Sequence, residues 1–135
     1  VKTADPSAAR LYVIPISAGA VSDATALDVD TFADLVTAGV TERTANGWNR
    51  KTLAAADLAS MAPDDTNNRM DIDIPDQTWT AVSTDAVTDL VICYSATASP
   101  TNAQLVPLTL HDFAVTPSGG DVTAQIAAAG FYRAS

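Results

Sequence analysis

The sequence predicts a mainly β single domain: a β-sandwich or open barrel of about six or seven short antiparallel strands, with one short helix near residues 30–38. Composition is the first reason. Fifteen of the sixteen acidic residues are Asp, Glu42 being the exception, and seventeen Thr accompany them. Both residue types disfavour helix interiors, and Asp favours turns and caps. The second reason is spacing, since turn clusters recur at roughly ten-residue intervals between short apolar stretches. Length and hydropathy set the scale. With 135 residues, 47% of them hydrophobic, the chain can bury one core and is not a wholly disordered segment.

Taken in order, residues 1–10 (VKTADPSAAR) read as a polar arm without period, leaving residues 11–135 as the domain. Leu11 to Ser17 reads as a strand, and Pro15 assigns it to an edge or to a strand end. The longer stretch Leu11–Ala20 superficially resembles a signal peptide, but its apolar part is short and Pro15 fits poorly. Phe32, Leu35 and Val36 stand at i, i+3, i+4, with Asp30 as N-cap and Gly39 after the last turn, so Thr31 to Ala38 reads as a two-turn helix. Asn46-Gly47 marks a turn. Thr52 to Met61 leaves helix and strand both open. Residues 63–68 (PDDTNN) form the densest turn chemistry in the chain.

Met70, Ile72 and Ile74 alternate with Asp71 and Asp73, the pattern of a half-buried strand with its acids toward solvent. Thr78 to Val82 resumes extended structure around Trp79. Val87 to Tyr94 is almost unbroken apolar sequence and is the best central strand. Gln104 to Leu110 carries Pro107, which points to an edge or a bulge. Asp112–Thr116 and Asp121–Ala127 flank Pro117-Ser118-Gly119-Gly120 and read as a hairpin.

The chemistry available is sparse. Seven basic against sixteen acidic residues leave a net charge of −9, so nucleic acid and anionic membranes are unexpected partners. No run approaches the ~20 apolar residues that span a bilayer. His111 is the only histidine, and adjacent strand residues face opposite ways, so Asp112 cannot orient it as a triad acid would. Asp71 and Asp73 share a strand face, as paired glycosidase carboxylates can, but a solvated face gives the same spacing. Cys93 sits among large aliphatic residues, where a thiol is unreactive. Asp64-x-Thr66-x-Asn68 imitates the start of a calcium loop, then fails at Arg69 and Pro75, where Gly and Glu are required. No cofactor, metal or catalytic residue is therefore expected.

One ordered series of segments carries a resemblance. Arg50-Lys51-Thr52-Leu53 is followed by Asp64-Asp65-Thr66-Asn67-Asn68-Arg69 and by Asp73-x-Pro75-Asp76-Gln77-Thr78-Trp79-Thr80. Then come Leu90-Val91-Ile92-Cys93-Tyr94, Pro107-Leu108-Thr109-x-His111-Asp112-Phe113 and Val115-Thr116-Pro117-x-Gly119-Gly120-Asp121-Val122. Over about residues 46–133 this series resembles small virion structural proteins of tailed bacteriophages. The resemblance implies a head or neck component with no enzymatic role.

Charge narrows the location, because an acidic protein inside the shell would be repelled by packaged DNA. The expectation is an outer capsid decoration, or cement, protein that bridges capsid subunits in multiple copies or as a homo-oligomer, with the major capsid protein as its partner. A neck or tail component is the alternative. So is a carbohydrate-binding virion module using exposed aromatics, and a small hydrolase built on Asp71 or His111 ranks last. The contact residues expected are Val1, Lys2 and Arg10 in and beside the arm, Trp48 with Arg50 and Lys51 at the turn, and Tyr132 with Arg133 near the C-terminus. Trp and Arg dominate interface hot spots, which is why they are chosen.

Overall fold

The computed structural model describes residues 8–19, 21–57 and 63–134. Among these, the order is β1 (Arg10–Ser17), α1 (Asp23–Leu27), α2 (Phe32–Thr37), β2 (Thr41–Glu42), β3 (Lys51–Ala54), β4 (Pro63–Asp64) and β5 (Arg69–Ile72). It continues with β6 (Gln77–Trp79), β7 (Val87–Ser95), β8 (Val106–Val115), β9 (Val122–Ala124) and β10 (Tyr132–Ala134). The domain is mainly β, with antiparallel pairing throughout. More strands are present than expected because five of them span only two or three residues, too few for an alternating pattern to show.

The central sheet is open and runs β2-β1-β7-β8, with β3 also paired to β1. Both faces of β1 and β7 are covered, which is why these strands read as continuous apolar runs. On one face Leu11, Val13, Leu90 and Ile92 pack against Trp48, Ile74, Trp79, Val82 and Ala124. The covering layer there is the β6–β9 ribbon and its flanking loops, a sandwich-like arrangement. On the other face Tyr12, Ile14, Ile16, Val91 and Cys93 meet Phe32 and Leu35 of α2, together with Val40 and Leu105. Each fully buried large side chain here contributes about 1.5–3 kcal/mol of transfer free energy.

The two tryptophans fix the first face. Their rings meet edge to face at 5.3 Å, and each indole N–H has a main-chain acceptor: Asp85 O for Trp48 at 2.9 Å, Asn49 O for Trp79 at 2.8 Å. A buried indole without such an acceptor would carry the cost of an unmade hydrogen bond.

The Pro15 assignment is corrected by the register: β1 is an interior strand. It pairs with β7 along Arg10–Ile16, and on its other flank with β3 up to Val13 and with β2 from Ile16. Pro15 falls in the break between β3 and β2. Its carbonyl accepts from Arg43 N at 2.9 Å, so the N–H that proline lacks would have pointed into the same break. The central position therefore costs no ladder bond.

Two helices are present where one was expected. α2 is capped by Thr31, not Asp30: Asp34 N donates to the Thr31 hydroxyl, and Thr31 N donates back to the Asp34 carboxylate. α1 is capped by Ser22 and buries no side chain, so it has no apolar stripe by which to be recognised. The ambiguous stretch after Lys51 resolves into β3 and a 3₁₀ turn at Ala55–Asp57, and the rest of it, residues 58–62, lies outside the described residues.

β7 is central, as its apolar run implies. β8 is an edge strand with a bulge, since the register steps from Ile92↔Thr109 to Cys93↔Pro107. The expected C-terminal hairpin does not form. β8 stays with β7, while β9 crosses to β6 with Trp79 opposite Val122. The Gly119-Gly120 turn is held elsewhere: Gly119 N donates to Val82 O at 2.7 Å, and Val82 N donates to Gly120 O at 2.9 Å.

Candidate interaction surface

The reactive side chains are placed as structural parts. Cys93 is fully buried, and burial pushes its thiol up to about 12, far from the thiolate range. The His111 ring hydrogen-bonds the Thr109 hydroxyl at 2.9 Å, and partial burial lowers its pKa by disfavouring the charged form. Asp112, next to it, is exposed and faces the other side of β8. Asp71 is not a free solvent-facing acid: it accepts from Arg133 Nε at 2.7 Å and lies 3.3 Å from Arg69 Nε. Arg69 Nε is also 3.2 Å from Asp64, and both are charge contacts without hydrogen-bond alignment.

The Asp64 carboxylate is spent on its own turn, accepting from the Asn67 backbone and side-chain amides, which hold its pKa down. Among the described residues, no group of three or more His, Cys, Asp or Glu is placed to hold a metal ion, and no helix is long and apolar enough to cross a membrane.

The expected contact residues divide. Val1 and Lys2 lie outside the described residues. Arg10 opens β1, and its Nη1 donates to Ala9 O at 2.8 Å. Trp48 is a correction, because it is 2% exposed and locked against Trp79, so it offers no surface to a partner. A glycan-stacking role loses Trp48 as an anchor, and Tyr132 stays exposed.

Arg50 and Lys51 are neighbours that face opposite sides of the sheet. Arg50 donates to both Glu42 oxygens at 2.5 and 2.6 Å and to Asn102 Oδ1 at 2.6 Å, and it lies over the Phe32 ring. The bond to Glu42 is the main reason its pKa is raised. Lys51 lies over the Trp79 ring at 5.4 Å. Both cations therefore brace the fold. Tyr132 is exposed, and Arg133 ties β10 to β5 through Asp71.

A surface that none of those residues marks is formed by β8. Leu108 and Leu110 are 44 and 38% exposed and line the face toward the helices, whereas the bulge places Val106, 45% exposed, opposite Tyr94 on the other face. The helical layer covers β1 and β7 but stops short of β8. A groove of about 720 Å³ remains, walled by Ala26 and Leu27 of α1 on one side and by Leu108 and Leu110 on the other, with Val91 and Leu35 also lining it. Leu27 is 87% exposed at its rim. Asp23 and Asp112 also line it, and no Lys or Arg is among its lining residues. The two-residue spacing of Leu108 and Leu110 is visible in the sequence, and Pro107 marks the edge and the bulge that turns Val106 away. That the helices leave this face bare is a tertiary fact with no sequence mark. Comparisons with protein-family models, with curated proteins and with solved structures find no match for this chain.

Proposed function

We propose that this chain is a structural protein of a tailed-phage virion, acting on the outer capsid surface as a decoration protein that bridges neighbouring shell subunits. The observation that carries the reading is the long unpaired apolar edge of β8 beside its groove, a surface suited to adhesion. The ordered sequence resemblance over residues 46–133 supplies the virion context. The net charge of −9 favours the outside of a DNA-filled shell. A protein that binds the assembled lattice and not the free subunits stabilises the lattice by mass action, with no chemistry required of it.

The test is stoichiometry in purified particles together with imaging of the particle surface. Copies in proportion to the shell subunits, located across their boundaries, support the reading. A single ring's worth at the portal would assign the neck or tail instead, and absence from mature particles overturns the virion role.

A further inference from the structure

We infer that β8 is a receptor strand, whose free edge takes up an extended segment of a shell subunit by β-addition, the segment carrying apolar side chains at alternate positions over Leu108 and Leu110 and a Lys or Arg two residues further on beside Asp112 and Asp23. That the segment comes from a shell subunit rests on the proposed function, whereas the chemistry required of it rests on the groove alone.

Three observations converge. The first is hydrogen bonding. β8 runs ten residues and pairs only with β7, so along some 33 Å half of its main-chain groups face away from any partner strand. The second is shape. Leu108 and Leu110 line the groove at a two-residue interval, the period at which an added strand presents its own side chains, and α1 supplies the opposing wall. The third is charge. Asp23 and Asp112 line the groove without a basic residue in the lining.

An added strand that fills this groove with a cation beside Asp112 gains opposite-charge contact, while an acidic one meets the like charges of Asp23 and Asp112. A second copy of this chain is disfavoured on the same ground, because each copy carries −9 and would bring its own Asp112 to the rim. Pro107 and the bulge beside it limit one end, so pairing is expected to run from Thr109 toward Val115.

The test uses the full chain and three synthetic peptides blocked at both ends. The first is Thr-Leu-Thr-Leu-Thr-Lys-Thr, the second replaces Lys by Glu, and the third replaces both Leu by Ser. Binding is read by fluorescence anisotropy, and its location by amide exchange. The inference expects slowed exchange in Val106–Val115, affinity lower by about tenfold or more for the Glu and Ser peptides, and a similar loss in Leu110→Lys. Asp112→Lys should reverse the order of the Lys and Glu peptides.

Equal binding of the Ser peptide, unchanged exchange in β8, or self-association of the free chain that Leu110→Lys abolishes would each overturn it. Circular dichroism and an unchanged thermal midpoint show that Leu110→Lys is folded. Particles separate the two readings. If wild type decorates shells and folded Leu110→Lys does so equally, the receptor strand is wrong and the decoration reading stands. If the Lys peptide binds β8 but wild type never occupies shells, the groove chemistry stands and the decoration reading falls.

Discussion

The central sheet ends in β2 and β3 on one side and in β8 on the other, and the two edges are finished by opposite means. On the first side the strands have two and four residues, Glu42 is clamped by Arg50, and Leu53 turns inward to a core position at 7% exposure. Short length and inward-turned residues leave little for a foreign strand to pair with. On the second side a ten-residue strand presents Leu108 and Leu110 to solvent beside a groove. Natural sheets blunt such edges unless the edge is used. Within one molecule, then, the protected edge serves stability, and the open edge is the one to which we assign the receptor role.

This contrast can be broken by substituting like residues at the two edges. Leu53→Ala on β3 removes core packing and is expected to cost about 2–5 kcal/mol in urea unfolding. A loss below about 1 kcal/mol would mean that the short edge is not part of the core. Next in size is Glu42→Gln, which leaves the half-buried Arg50 guanidinium without its carboxylate and should cost roughly 1–3 kcal/mol. Adding Arg50→Met should recover part of that loss, because the unpaired charge is then gone. Leu108→Ala, on the open edge, should cost no more than about 1 kcal/mol, since the side chain is already half in water.

The smallest effect is a slope in pH. Burial holds the His111 pKa below its ordinary value of 6.5, so the unfolded chain takes up the proton first. Stability from this residue is therefore full above pH 6.5 and is lost as pH falls through the lower folded value. Urea midpoints measured from pH 7.5 to 5.5 should decline in wild type and decline less in His111→Gln. Equal slopes would show that other groups set the acid response.

Sequence and structure agree where the side-chain pattern reports a local environment. Val87–Tyr94 reads as the central strand because residues of both parities are apolar, and both faces of β7 are indeed covered. Pro107 marks an edge because a missing donor is tolerated there. The same rule fails at Pro15, since a break between two flanking strands protects a missing donor as well as a sheet edge does, and that break is set by residues more than twenty-five positions downstream. Trp48 beside Arg50 and Lys51 looks like an exposed anchor, because a turn neighbourhood reveals nothing of Trp79 waiting opposite. The groove was the least legible feature. Its walls come from α1 and β8, and α1 buries nothing that would announce it.

The register of β1 has a consequence for how the protein is made. Tyr12 faces Thr52 on one flank and Cys93 on the other, so β1 stays incomplete until β7 has left the ribosome. At about 5–20 residues per second that is a delay on the order of ten seconds, during which the sticky stretch Leu11–Ile16 lacks its long β7 neighbour. Newly synthesised chains should therefore depend on holding chaperones, and yields in cells should fall when synthesis is slowed between β3 and β7.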